Sequence, residues 1–227
     1  YRRRGKRMIE RREYRGALKE DCREKELKTV LNQAEERAEG LVQTGSLLSV
    51  SLYRFRKMCF LYCEAEGDPP QPESIFPMLI PFLELWPEEA GKLCWAPMYP
   101  VYYHCIPKEP ESWMGGRKGK ERIGRIAFLK EEKLTSYVYW HKALVEEGLF
   151  CGDQYQFISL HENVLFSYYE EPKTMANIRG IKEPSAVIEQ WEKQNPKGHF
   201  YREKTGGENF YVMKKLLSAG KEGPDGL

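Results

Sequence analysis

The sequence predicts an α+β protein made of two tandem ferredoxin-like halves, each β-α-β-β-α-β, closing as an intramolecular dimeric α+β barrel. Three observations carry this. Apolar residues recur at strand and then helix periods in that order twice along the chain. Residues 39–52 (EGLVQTGSLLSVSL) align without gaps on 147–160 (EGLFCGDQYQFISL) with five of fourteen positions identical, and FLYCE (60–64) matches FSYYE (166–170). The runs MCFLYCE and VLFSYYE are apolar almost without a break, so both faces of those strands are covered. Helices cover one face, and a second like sheet is the candidate for the other.

The elements follow in order. Residues 1–12 carry seven Arg or Lys and read as a basic, solvated tail. Residues 13–106 form the first half. Tyr14 to Leu18 is a short strand. Leu27, Val30, Leu31, Ala34 and Ala38 form a helical stripe that stops near Gly40. Leu47–Tyr53 and Met58–Glu64 are a hairpin around a polar turn. Ile75–Leu85 is a second helix, and Met98–Cys105 is the final strand. Residues 107–121, rich in Pro, Gly and charge, read as a linker. The second half spans 122–214: a strand at Ile123–Leu129, a helix from Leu134 ending at Gly148, a hairpin at Tyr155–Leu160 and Val164–Tyr169, a helix at Pro184–Lys193, and a strand at Phe210–Met213. Residues 215–227 read as a disordered tail.

Composition narrows the function classes. Aromatic residues at 13% need a packed core or a ligand pocket, which excludes disorder of the whole chain. No apolar run has the roughly 18 residues that a membrane-spanning helix needs. A net charge of +2 argues against a chain that coats nucleic acid. The six cysteines form no CxxC and no zinc-ligand spacing with His, so they read as buried thiols of a cytoplasmic protein. Cys59 and Cys63, four apart, share one face of a strand. His104 and Cys105 are adjacent, so they point to opposite faces and do not ligate together. Gly115-Gly116 and Gly206-Gly207 lack the spacing of a phosphate-binding loop, and no nucleophile-elbow motif is present.

Among four histidines, His141 stands out. It lies on the helical stripe that faces the sheet, four residues after Tyr137, so imidazole and phenol share a helix face. An imidazole near neutral pKa suits general acid–base work. A core histidine with one hydrogen-bond partner fits the same spacing. In the first half the matching positions are Gln33 and Thr29, so an acid–base pair exists in one half only.

RIAFLKE (125–131), Tyr137-x-x-x-His141, SLHENVLFSYYEE (159–171) and ENFYVMKK (208–215) together resemble the L-rhamnose mutarotase family of dimeric α+β barrels. The resemblance covers roughly residues 122–214. It implies an isomerase that interconverts sugar anomers, with His141 as the acid/base and Tyr137 binding the sugar. Tyr168, Trp191 and Tyr211 would stack on sugar C–H surfaces. That family has a Trp pair on its second helix, and here only Trp191 stands near it. The resemblance implies no metal and no cofactor and a sugar-like small-molecule partner; no membrane partner is expected, because no apolar run is long enough to span a bilayer. It implies either a monomer with an internal pseudo-dimer or a homodimer. The alternative is a non-catalytic small-molecule-binding barrel. A third, remoter reading gives the basic segment contacts to nucleic acid.

Overall fold

The computed structural model describes residues 8–88 and 91–221. The basic segment's first seven residues and the last six lie outside that description. In chain order the principal elements are β1 (Ile9–Ala17), α1 (Glu24–Gln43), β2 (Ser49–Phe55), β3 (Met58–Glu66), β4 (Tyr99–Tyr103), α2 (Pro110–Met114) and β5 (Glu121–Phe128). There follow α3 (Leu134–Glu147), β6 (Phe157–His161), β7 (Val164–Glu171), α4 (Ala186–Glu192), β8 (Tyr211–Val212) and β9 (Lys214–Gly220). The protein is therefore mixed α+β with antiparallel sheets.

Two compact units emerge. The first contains residues up to Ala96, Pro107–Gly119 and the chain from Leu216; the second contains Pro97–Ile106 and Lys120–Lys215. Each carries a five-stranded sheet. The first runs β9-β2-β3-β1 and then the short strand Ala96–Pro97; the second runs β4-β6-β7-β5-β8. The two orders correspond strand by strand. So do two side-chain bonds: Tyr62 donates its hydroxyl proton to Glu64 in β3, and Tyr168 does the same to Glu170 in β7 at 2.6 Å.

The exchange of the last strands differs from the expected order. The strand anticipated over 98–105 forms as β4, yet it pairs with β6 of the second sheet, Tyr102 opposite Ile158 and Phe157 opposite Tyr103. In return β9 joins β2 of the first sheet, with Ser51 and Ser218 bonded at 2.9 Å and Lys221 N donating to Leu48 O at 2.9 Å. The expected disordered tail is thus a strand as far as Gly220, and it buries Leu217 and Ala219 in the first core.

The basic segment becomes strand from Ile9, and Arg11 is buried there. Helix α1 runs through Gly40 to Gln43, because three further residues bring Val42 into the core. The helix expected over Ile75–Leu85 is a single turn, Pro72–Ile75, followed by a 3-10 turn, Pro77–Phe82. Pro77 and Pro81 lack the N–H that an α-helical ladder needs. The segment expected as a linker holds α2 and is anchored. Arg117 is fully buried, and its Nη1 and Nη2 donate to the two oxygens of Glu64 at 2.6 and 2.7 Å. Trp113 Nε1 donates to the same carboxylate at 3.2 Å. Burial alone would raise the Glu64 pKa, but Arg117 and Tyr62 hold it below its ordinary value.

The first core gathers Leu27, Ala34, Ala38 and Val42 of α1 against Leu61, Cys59 and Cys63 of β3. The two cysteines do share one face, and none of the six cysteines is in a disulfide; the expectation of buried thiols holds for Cys59, Cys63 and Cys94, whereas Cys22 and Cys105 are half-buried and Cys151 is exposed. Among the described residues no helix is long and apolar enough to cross a membrane.

Candidate functional site

The second unit assembles the site from the inside of α3. Its stripe buries Tyr137, His141 and Leu144 against Ala127, Leu129, Ile158 and Leu165 of the sheet. The helix ends where Gly148 takes φ 72° and returns its N–H to Leu144 O at 2.9 Å. The last α3 residue, Glu147, then fixes the next helix. Its carboxylate accepts from Ala186 N at 2.8 Å and Val187 N at 3.2 Å, and from the Ser185 hydroxyl. Ser185 Oγ in turn accepts from Ile188 N at 3.0 Å, an N-cap. This double cap sets α4 so that Trp191 reaches His141.

The rings of Tyr137 and His141 stack, with centroids 3.7 Å apart and planes 21° from parallel. Trp191 meets the imidazole edge-on at 5.1 Å, and Tyr102 does so at 5.4 Å. The row continues at both ends, from Tyr102 to His104 at 4.8 Å and from Trp191 to His199 at 4.7 Å. Three of the four histidines therefore lie in one aromatic row. His199 is tied by Ser136 Oγ at 3.0 Å and Asn195 O at 3.2 Å. His104 is tied by Phe150 O at 3.0 Å and by Gln156.

His141 is 8% exposed. Its Nδ1 lies 2.8 Å from the carbonyl oxygen of Tyr137. A carbonyl only accepts, so Nδ1 carries the proton and Nε2 holds the lone pair. Burial pushes the pKa down, outweighing the Tyr137 carbonyl, and His199 adds to the fall; the result is about 4. The imidazole is therefore neutral at pH 7. Among the described residues no group hydrogen-bonds Nε2. Burial also pushes the phenols of Tyr137 and Tyr102 well up, so both are neutral donors.

Of the residues singled out in the sequence, His141, Tyr137 and Trp191 come together. Tyr168 and Tyr211 do not join them. Strand side chains alternate between faces, and Leu165 of β7 faces the helices, so Tyr168 faces away, fully buried and bonded to Glu170. Tyr211 is opposite Ile126 and shares its face, whereas Ala127 of the same strand faces the helices; Tyr211 is 47% exposed. The matched pair in the first unit also differs from expectation. Thr29 and Gln33 are exposed on α1, and the buried position beside Gln33 is Ala34.

Sequence reasoning misses Tyr102, His199 and Arg125. Its place in the chain puts Tyr102 in the first half, and strand exchange carries it into the second. Arg125 lies one pleat from Ala127, on the helix-facing side. Among the described residues no group of three or more His, Cys, Asp or Glu could hold a metal ion.

No protein-family model matches this chain, and no curated protein does. Three solved structures are similar over nearly the whole length. A provisionally named monooxygenase of Fusobacterium nucleatum has TM-score 0.45 and 14% identity, covering 96% of this chain and 97% of its own. A provisionally named monooxygenase of Lactobacillus acidophilus has TM-score 0.46 and 6% identity, with 95% and 97% covered. An anthrone oxidase-like protein has TM-score 0.34 and 8% identity, with 97% of each chain covered. None of the three is named a mutarotase, and likenesses this distant transfer neither a fold nor an activity to this chain.

Proposed function

We propose that the second unit binds a small molecule on the helix-facing side of its sheet, beside His141, which accepts a proton through Nε2. One observation carries this reading: Nδ1 is anchored on the Tyr137 carbonyl and Nε2 is left as a neutral acceptor among Tyr102, Tyr137 and Trp191. A base of pKa about 4 abstracts only weakly but is always available at pH 7, because burial disfavours the imidazolium. Sugar anomerisation is the finer form of the proposal. His141 takes the proton from the anomeric hydroxyl, and a neutral phenol, Tyr137 or Tyr102, donates to the ring oxygen as the ring opens. Protons then return along the same path on closure, so the step is balanced without a cofactor. Trp191 offers a face for sugar C–H groups. Tyr168 and Tyr211 have no part in it.

The tandem ferredoxin-like reading of residues 13–106 and 122–214, closing as an α+β barrel, belongs to the same proposal. The corresponding strand orders and the repeated Tyr-to-Glu bond support it.

NMR saturation transfer between the α and β anomers of L-rhamnose and a panel of other sugars tests the finer form. Faster exchange that is lost in His141→Ala supports anomerisation at His141. No enhancement with any sugar, from folded protein, leaves the non-catalytic binding reading in its place. The depressed His141 pKa already favours that second reading over strong acid–base work.

A further inference from the structure

The helix-facing side of the second sheet holds a cation that forms no ion pair with a carboxylate among the described residues. The guanidinium of Arg125, in β5, lies over the Tyr169 ring at 4.4 Å and the Phe210 ring at 4.9 Å. Tyr169 comes from β7 on one side of β5, and Phe210 leads into β8 on the other. Its single hydrogen bond runs from Nη2 to Ser167 Oγ at 3.1 Å. Its Nε is buried with no acceptor. Among the described residues no carboxylate stands within ion-pair distance of Arg125, and Glu171, exposed at the end of β7, acts on it only through space.

Arg125 is half-buried with its Nε out of reach of water, and desolvating a guanidinium without a paired counter-charge is costly. The first unit shows the alternative within the same chain. There the buried Arg117 receives both oxygens of Glu64. Arg125 receives one hydroxyl. The guanidinium carbon lies over both rings, and among the described residues only Nη2 of its nitrogens meets an acceptor, so N–H donors are left for a ligand. In-plane paired donors match a carboxylate. Arg125 shares its sheet face with Ala127 and Leu165, the face against which Tyr137 packs with His141 stacked on it.

We propose that Arg125 is the anion-binding residue of this site and that the ligand carries a carboxylate, held in the guanidinium plane with its body toward Tyr137 and His141. The inference rests on the reading of this face as a small-molecule site. Within the sugar reading it points to a sugar acid and away from a neutral sugar.

The test is side-chain NMR of the full chain labelled with 15N at arginine and histidine, titrated with benzoate and with its neutral isostere benzamide. Benzoate is expected to shift Arg125 Nε and His141 Nε2 saturably, and benzamide to bind at least tenfold more weakly. Arg125→Gln is expected to bring benzoate down to the benzamide level, and Arg125→Lys to keep part of the preference. If Arg125→Gln does not fold, the benzoate-to-benzamide ratio in the wild type and in Arg125→Lys decides the matter. Equal binding of both probes, or benzoate binding unchanged in Arg125→Gln, overturns the role of Arg125 while a moving His141 signal leaves the small-molecule reading intact. If neither probe moves either nucleus, both fall together.

Discussion

The helix-facing sides of the two sheets are built on one register and filled with different chemistry. Tyr14 pairs with Leu61 in the first sheet, and Arg125 pairs with Ser167 at the corresponding place in the second. Two strand positions on, Cys63 corresponds to Tyr169. On the helices, Ala34 and Ala38 cover the first sheet, whereas Tyr137 and His141 cover the second. The first unit thus has an apolar layer with one buried phenol, whose pKa burial pushes up to about 12. The second has a cation, three phenols and an imidazole. A repeated backbone fixes where side chains point, and a few substitutions at those places turn a packing layer into a site. The buried charges of the first unit lie on the other face of its sheet: Arg11, Glu13 and the Glu64–Arg117 pair that holds α2.

That contrast can be broken most forcefully at Glu64. Glu64→Gln leaves the Arg117 guanidinium buried without its carboxylate and is expected to destabilise the protein by about 3–5 kcal/mol. Denaturant unfolding checks this, and adding Arg117→Met should recover much of the loss.

Acid should act on the second unit first. His141 is neutral when folded, with a pKa of about 4 against an ordinary value of 6.5, so the unfolded chain binds the extra proton. The stability this gives is complete above pH 6.5 and falls as pH drops from 6.5 toward 4, by about 3 kcal/mol at about 1.4 kcal/mol per pKa unit. Glu64 responds in a lower pH range: its lowered pKa gives stability that is complete above pH 4.5 and is lost only below it. Hydrogen exchange between pH 6.5 and 4.5 should therefore show amides of β5, β7 and α3 losing protection while those of β1 and β3 keep theirs. Equal losses in both sheets would contradict the contrast.

The aligned glycines sharpen it further. Gly148→Ala forces a side chain into a left-handed residue whose Cβ would meet Ile178 at 3.1 Å, and should cost about 1–2 kcal/mol. Gly40, its match in the repeat, lies inside α1 with nothing within 4 Å of a Cβ, so Gly40→Ala should stabilise by about 1 kcal/mol. Thermal unfolding of the two variants should move in opposite directions. The smallest effect is expected at the α4 cap: Ser185→Ala should cost about 1 kcal/mol and loosen Trp191, read as a broader His141 signal.

Much of this is legible from periodicity. The strand-helix-hairpin order, the shared face of Cys59 and Cys63, and the meeting of Tyr137 with His141 all follow from spacings of 2 and 4. Strand exchange is not legible. An edge strand such as Tyr99–Tyr103 carries no local signal that names its partner, and the same residues can add to either sheet. The helix over 75–85 fails on Pro77 and Pro81, whose missing N–H groups outweigh the apolar pattern. Arg117 is hidden because a Gly- and charge-rich segment reads as solvated, and only tertiary contact shows its carboxylate. Tyr168 and Tyr211 are suggested by residue type alone. Counting strand parity from Leu165 removes Tyr168, whereas Tyr211 needs the pairing register.

The second unit's chemistry turns on His141 being a neutral acceptor, anchored through Nδ1 on the Tyr137 carbonyl. The measurement that tests it is a pH titration of the 15N-labelled His141 ring in the full chain. An Nδ1–H tautomer and a midpoint near pH 4 are expected. A midpoint near 6.5, or a proton on Nε2, would contradict it.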